Sequence, residues 1–273
     1  MMKTSFSTLA CPDWSLPQTL AAASEYGYDG VELRVVSGEL DLWKLPEFRS
    51  PGLAATRTAI ESQGLIVAAV GSSACFHSSD IQDRERNLDL ALRMAEVAAG
   101  LGAPAIRVFG DRIQPGSSRW ETGEWIADSL SRLADRLGRD GVQVWLETHG
   151  DFAAAADVGE ILAHLESSEI GIIWDPANAF EQKSEMPLIS PLMSSRVRHV
   201  HLKDLVRGPQ GSARYVPTGE GEFPFDTMFA SLAGIGFDGF VSFEWEKLWH
   251  PELASPEIAL PQFIRWWKSR EAA

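Results

Sequence analysis

The sequence predicts an α/β fold, a single (β/α)8 barrel spanning residues 1–273, and three observations carry that prediction. Eight short β-rich runs alternate with helical segments along the whole chain, the pattern of parallel strands joined by crossover helices. Four joints pair a glycine with an apolar residue where a helix hands over to a strand: Gly27–Tyr28, Gly64–Leu65, Gly141–Val142 and Gly236–Phe237. Glycine there takes up the left-handed turn that ends a helix at little cost. A chain of 273 residues with 45% hydrophobic content buries a large core and is close to the usual size of such a barrel.

The elements follow in order. Strand one is KTSFSTLA near residue 3, and LPQTLAAASEYG after it reads as a helix stopped by Gly27. Strands two and three are GVELRV from Gly30 and LIVAAVGSS from Leu65. The long DRERNLDLALRMAEVAAGLG is an amphipathic helix that leads into strand four, AIRVFG from Ala105. VQVWLETHG from Val142 and IGIIWDP from Ile170 are strands five and six. The proline-bearing NAFEQKSEMPLISPLMSS between strands six and seven gives the weakest helix of the set. Strand seven is VRHVHLKD from Val197, followed by VRGPQGSARYVPTGEGEFPF, read as the longest irregular loop. In a barrel such a loop lies over the strand C-termini as a lid or substrate platform. The helix MFASLAGIG then precedes strand eight, FVSFEWE from Phe240.

Composition excludes several functions. No run approaches the roughly 20 apolar residues of a membrane span, and the opening MMKTSFSTLACPDW lacks the basic start and apolar run of a signal peptide, so a cytoplasmic protein without membrane partners is expected. Cys11 and Cys75 are too few for a disulfide framework and lack CxxC spacing, which makes them reduced structural thiols. A net charge of −14 repels a phosphate backbone and argues against nucleic acid. A small, neutral or weakly charged substrate fits such a surface better.

Four successive strands of the second half each end in a metal-capable side chain: Glu147 after VQVWL, Asp175 after IGIIW, His201 within VRHVHL and Glu244 after FVSF. Functional groups in this fold are built at those strand ends. Alternation in VRHVHLKD puts His199, His201 and Lys203 on one face, with His201 nearer the rim and His199 inside the barrel. Glu244 and Glu246 share a face likewise, and Glu244 is preferred because it closes the apolar run. Crowded acids repel without a cation, so the set implies one divalent metal bound by Glu147, Asp175, His201 and Glu244. Three carboxylates and an imidazole suit Mn²⁺ first, with Mg²⁺, Co²⁺ or Zn²⁺ as alternatives. His149 lies two residues past Glu147 on its face and Lys203 two past His201, which makes both candidates for binding substrate. Arg107, Glu32 and Arg34 point toward the same mouth, where an internal Arg–Glu pair explains them equally well. His77 is a rim candidate after strand three, and His250, with Trp245 and Trp249, offers a wall beside a sugar ring or a subunit contact.

The strings DGVELR, IRVFGD, WLETHGD, WDPANAF, HVHLKD, GEGEFPF and GFDGFVSFEWE, in this order and spacing, resemble the xylose isomerase-like TIM-barrel superfamily and its sugar phosphate isomerase/epimerase-type members, over essentially the whole chain. The resemblance implies a Glu, Asp, His and second Glu as metal ligands at strands five to eight, matching Glu147, Asp175, His201 and Glu244. It implies a metal-dependent isomerase or epimerase of a ketose or keto-polyol, with Glu147 and Glu244 moving the proton through a metal-stabilised enediolate. Epimerase members often carry a His three residues after the ligand Asp; Asn178 holds that position here and is taken as a substrate contact with His149, Lys203, Arg107 and His250. Expulsion of a β-leaving group from the same intermediate makes a lyase or dehydratase acting on an oxidised sugar, polyol or 3-oxo-glycoside the alternative. A partner-dependent or non-catalytic barrel subunit is a third reading, because 10 tryptophans and the FIRWWKSR near the end leave room for an interface, including one in a homo-oligomer. An abasic-site nuclease of the same superfamily fits poorly, since six histidines and this charge supply neither a multi-metal cluster nor a basic DNA face.

Overall fold

The computed structural model describes residues 2–138, 141–165, 170–182, 188–208 and 212–271. All eight expected strands form and close a parallel barrel: β1 (Lys3–Ser7), β2 (Gly30–Leu33), β3 (Ile66–Cys75), β4 (Ala105–Phe109), β5 (Gln143–Glu147), β6 (Gly171–Trp174), β7 (Val197–Leu202) and, at the end of the chain, β10 (Phe240–Phe243). Each strand pairs with its neighbours in sequence order, and β1 closes on β10 with Lys3 opposite Phe240 and Phe6 opposite Phe243.

Helices cover the outside. They are α1 (Leu16–Tyr26), α2 (Gly52–Ser62), α3 (Ile81–Leu101), α4 (Arg119–Leu137), α5 (Ala155–Ala163), the short α6 (Pro176–Glu181) and α7 (Pro191–Ser194), then α8 (Phe225–Gly234) and α9 (Pro256–Glu271). The four glycines at the helix-to-strand joints all take positive φ, between 65° and 83°. The start of α4 is fixed by a reciprocal cap, in which Ser118 Oγ accepts from the Glu121 amide and the Glu121 carboxylate accepts from the Ser118 amide. The weak helix expected between strands six and seven becomes α6 and α7, with residues 183–187 outside the described range. Among the described residues no helix is long and apolar enough to cross a membrane.

The loop after β7 is more regular than the sequence suggests. Its first part pairs two antiparallel strands, β8 (Asp204–Arg207) and β9 (Ala213–Val216), and residues 209–211 between them are outside the described residues. Alternation in RYV was too short to be read as a strand amid its glycines and prolines. What pins the return of the hairpin is Asp204, 1% exposed. Its Oδ2 accepts from the Gly219 and Gly221 amides at 2.8 and 2.9 Å, and its Oδ1 from Leu205 and Phe223 at 2.9 and 3.2 Å. Position 221 tolerates no side chain, because a Cβ there would lie 2.1 Å from Asp204 Oδ1.

The strand register divides the side chains cleanly. Val31, Leu33, Val70, Ile106, Val108, Val144, Leu146, Ile172, Trp174, Val200, Leu202, Val241 and Phe243 join the continuous core shared with the helices. The alternate residues fill the barrel interior. A small apolar plug of Ala69, Ala105, Trp145 and Ile173 forms a separate cluster there, and polar groups stand above it. Trp145 fits because β6 offers Gly171 opposite, where a Cβ would come within 2.3 Å of the indole. Within FIRWWKSR, Phe263, Ile264 and Trp267 are buried, and Trp266 packs on Phe225, so these aromatics stitch α9 to the barrel.

Candidate functional site

Register brings the polar ends together. Glu147 of β5 lies opposite Ile173, and Ile173 opposite His199, so Asp175 and His201, two residues on along β6 and β7, share the same inward face. His201 in turn lies opposite Ser242, two residues before Glu244. The result is a buried cluster in which one ligand atom from each of Glu147, Asp175, His201 and Glu244 lies within 4.8 Å of the others. Around His201 Nδ1 stand Glu244 Oε1 at 3.3 Å, Glu147 Oε1 at 3.6 Å and Asp175 Oδ2 at 3.9 Å. This nitrogen is buried and makes no hydrogen bond. A buried imidazole nitrogen without a hydrogen bond, ringed by three carboxylate oxygens, fits a divalent cation, which would give that nitrogen the partner it lacks and answer the negative charge crowded around it.

The surroundings hold each of these four side chains in place. Asp175 caps α6, with Oδ1 accepting from the Ala177 and Asn178 amides at 2.9 and 3.1 Å, which leaves Oδ2 facing the cluster. Thr148 Oγ1 accepts from the Asp175 amide at 2.8 Å. On the far side of His201, Nε2 meets Glu32 at 3.0 Å, and His199 Nε2 meets the same carboxylate at 2.9 Å. A carboxylate on the remote nitrogen fixes the ring and its tautomer, as is usual for histidines that bind metals. Glu32 therefore serves two imidazoles, and the internal Arg–Glu pair is a different one, Arg107 Nη1 donating to Glu147 Oε2 at 2.7 Å.

Charges in this cluster are strongly coupled. Burial alone would raise the Glu32 carboxyl, yet His201 and His199 hold it well below the usual range. Burial opposes a charge on His201, but Glu244, Glu32 and Glu147 override it and lift the imidazole well above its ordinary value. Burial would raise Glu147 too, and Arg107 and His201 keep it low. Asp175 is the exception, pushed by burial up to about 7 against the pull of Lys203. Lys203 is itself buried and sits among acids, with Nζ at 2.8 Å from Asp175, 2.7 Å from Glu244 and 2.6 Å from Glu246.

A cavity of about 300 Å³ opens over the cluster, at the small end of the roughly 300–1,000 Å³ typical of small-molecule sites. Glu147 and Glu244 line it, whereas Asp175 and His201 are fully buried behind them. His149, Lys203 and Arg107 line it as well. His149 Nδ1 meets Asp111 Oδ1 at 3.1 Å, and its ring packs on Phe109. Asp111 adopts a left-handed φ of 72°, which turns its carboxylate onto His149, and the loop around it closes on Gly150, where a Cβ would strike the Asp111 carbonyl.

Two expected substrate contacts lie elsewhere. Asn178 donates its side-chain amide to the Thr148 carbonyl at 3.0 Å and lines a neighbouring cavity beside Glu181 and Tyr215. His250 is half exposed, beside Glu252 and against the Tyr215 ring, and the residue of that segment that lines the main cavity is Trp249. His77 comes near Asp111 and Cys75 at the rim, a further group within metal-binding distance besides Glu32, His199 and His201. Sequence reasoning gave no role to Asp111, although it ends the AIRVFGD run as Glu147 ends VQVWLE. It also ranked Glu246 below Glu244, whereas the structure puts both on the cavity wall and both on Lys203.

Comparison with known proteins agrees with this architecture. The L-ribulose-5-phosphate 3-epimerase UlaE of Salmonella paratyphi C (strain RKS4594) is 24% identical over 265 residues, 94% of this chain and 90% of that protein. The 2-oxo-tetronate isomerase of Pectobacterium atrosepticum is 24% identical over 172 residues, 60% of this chain and 62% of that protein, so this match spans somewhat less than two thirds of the relative. Among solved structures, the IolI protein with a binding zinc atom superposes with a TM-score of 0.77 at 19% identity, covering 96% of this chain and 95% of that one. The family profile described as xylose isomerase-like TIM barrel matches residues 20–270, and the chain belongs to that family.

Proposed function

We propose that the protein is a divalent-metal-dependent isomerase or epimerase of a short ketose or keto-polyol, with Glu147, Asp175, His201 and Glu244 as the metal ligands. The observation that carries this reading is that two carboxylates, Glu147 at the end of β5 and Glu244 just past β10, face one small cavity while both approach the same buried imidazole. A divalent ion seated in that donor set supplies Lewis-acid polarisation of the substrate oxygens. Glu147 and Glu244 then act on the carbon beside the carbonyl, one taking its proton and the other returning one. Return to the opposite face gives an epimer, and return to the neighbouring carbon gives an isomer.

The other oxygen of each carboxylate is held by a cation, Glu147 Oε2 by Arg107 and Glu244 Oε2 by Lys203. Those contacts keep both groups ionised, as a base requires, and fix the direction in which they reach into the cavity. His149, on the cavity wall, is our candidate donor to substrate oxygens; Lys203 lines the cavity too, and would reach the substrate only by giving up one of its contacts to Asp175, Glu244 and Glu246. The relatives' names, an epimerase and an isomerase of sugars or sugar acids, support the reaction class, and the zinc held by the IolI protein supports the metal.

The test is metal content by elemental analysis of the purified chain beside Glu244→Gln, followed by deuterium exchange from D₂O into a panel of ketoses and oxidised polyols with Mn²⁺ supplied. The expected result is close to one metal per wild-type chain, loss of metal in the variant, and exchange by wild type alone. Product lacking water, instead of exchanged substrate, marks the lyase branch of the same chemistry. Absence of metal after reconstitution defeats the reading. A second check is thermal: Mn²⁺ at 100 times its Kd is expected to stabilise the fold by about 2.7 kcal/mol, visible as a raised Tm that Glu244→Gln loses.

A further inference from the structure

The cations that line the cavity are matched with acids, except one. Arg107 pairs with Glu147, Lys203 with Glu244 and Glu246, and Arg112 with Asp111. Arg34, which continues β2 onto the rim, has no acid partner among the described residues. Its guanidinium donates a single hydrogen bond there, from Nη2 to Ser73 Oγ at 2.7 Å, and Nη1 is buried without any partner. The residue is only 5% exposed and lines the cavity. A buried cation with unused donors is costly unless something answers it.

The fold is shaped to hold Arg34 in that position. Thr8 Oγ1 accepts from both the Arg34 and Val35 amides, at 2.8 and 2.9 Å, and anchors the backbone at the strand end. The side chain then crosses β3 at Gly71, where a Cβ would fall 2.7 Å from Arg34 Cδ and 3.0 Å from Arg107 Nη2. Burial and the neighbouring Arg107 lower the Arg34 guanidinium to about 9, so it is charged at neutral pH but destabilised, and an anion would relieve it.

We propose that the substrate carries an anionic group, a carboxylate or a phosphate monoester, and that Arg34 is the residue that receives it. This rests on the reading of the cavity as a substrate site and sharpens the expectation of a neutral or weakly charged ligand: a net charge of −14 describes the whole chain, whereas one guanidinium on the cavity wall has no acid partner among the described residues. Guanidinium presents parallel donors to either oxyanion, and two of its nitrogens have capacity to spare.

The test measures binding of three probes of equal chain length, erythritol, erythronate and erythritol 4-phosphate, by titration calorimetry. Wild type, Arg34→Gln and Arg34→Lys are compared with Mn²⁺ present and again after EDTA treatment, with circular dichroism to verify the fold. Wild type is expected to prefer at least one acid over erythritol by roughly 10- to 100-fold, the worth of a charge-assisted hydrogen bond. Arg34→Gln is expected to abolish that preference without changing erythritol binding, and Arg34→Lys to restore part of it. Which acid shows the preference identifies the oxyanion. Equal binding of all three probes, no saturable binding of either acid to wild type, or a preference that survives Arg34→Gln overturns the proposal. A preference that vanishes with EDTA in wild type assigns the anion to the metal and also overturns it. Should the chain hold no metal at all, a preference that depends on Arg34 still stands, which separates this inference from the metal reading.

Discussion

Glu147→Gln is expected to slow deuterium exchange into the substrate by roughly 10²–10⁴-fold, the usual contribution of a positioned general base. Glutamine keeps the shape and an oxygen to accept from Arg107 Nη1, so the substitution removes basicity and charge while disturbing packing little. It also leaves the buried Arg107 without its counter-ion, so some loss of stability accompanies the loss of rate. The informative measurement is the single-turnover exchange rate at saturating Mn²⁺, with metal content determined on the same sample. A variant that holds metal and exchanges at the wild-type rate would remove Glu147 from proton transfer. A variant that exchanges slowly with metal bound assigns the deficit to chemistry and not to an empty site.

The second large effect concerns stability. Asp204→Ala removes the acceptor of four backbone amides, those of Leu205, Gly219, Gly221 and Phe223. Buried donors left unpaired cost about 1–3 kcal/mol each, and partial rehydration of a surface loop reduces the sum, so a loss of about 3–5 kcal/mol is expected. At about 2–4 °C per kcal/mol, Tm should fall by roughly 6–20 °C in a calorimetric scan. The hairpin carries Tyr215, whose ring lies 5.6 Å from Lys203 Nζ and whose hydroxyl donates to Glu181. Loosening it is therefore expected to weaken substrate binding as well, through Lys203, which lines the cavity beneath the Tyr215 ring. An unchanged Tm would mean that the hairpin is held by its own ladder and by Phe223, and that the aspartate cage is incidental.

Both predictions turn on how local pattern and distant contact divide the work. The eight strands were legible because each is a short β-rich run between helical segments, and the positions inside the barrel could be polar without harming the core. The helix ends were legible because left-handed glycines are local signals. Convergence of Glu147, Asp175, His201 and Glu244 also follows from local facts, since each stands at or next to the end of a strand, in phase with the inward face, and a closed barrel brings neighbouring strand ends together. Two-residue periodicity fixes which face a side chain takes and how far along the strand it sits.

Periodicity does not fix partners, and there the tertiary structure decided. Glu32 and Arg34 belong to one short run, yet Glu32 crosses the barrel to His199 and His201 while Arg34 pairs with no acid among the described residues. Arg107 joins Glu147 from the next strand, and Lys203 settles among three acids from two other segments. His250, promising by its proximity in sequence to the last ligand, turns out beside Glu252. The hairpin of β8 and β9 was concealed by the glycines that let its return wrap around Asp204. By itself the sequence determined the barrel, its phase and the set of groups delivered to its mouth. Which of them pair, and which cation is left for a ligand, depends on distances across the barrel between residues far apart in the chain, and only closure of the sheet sets those distances.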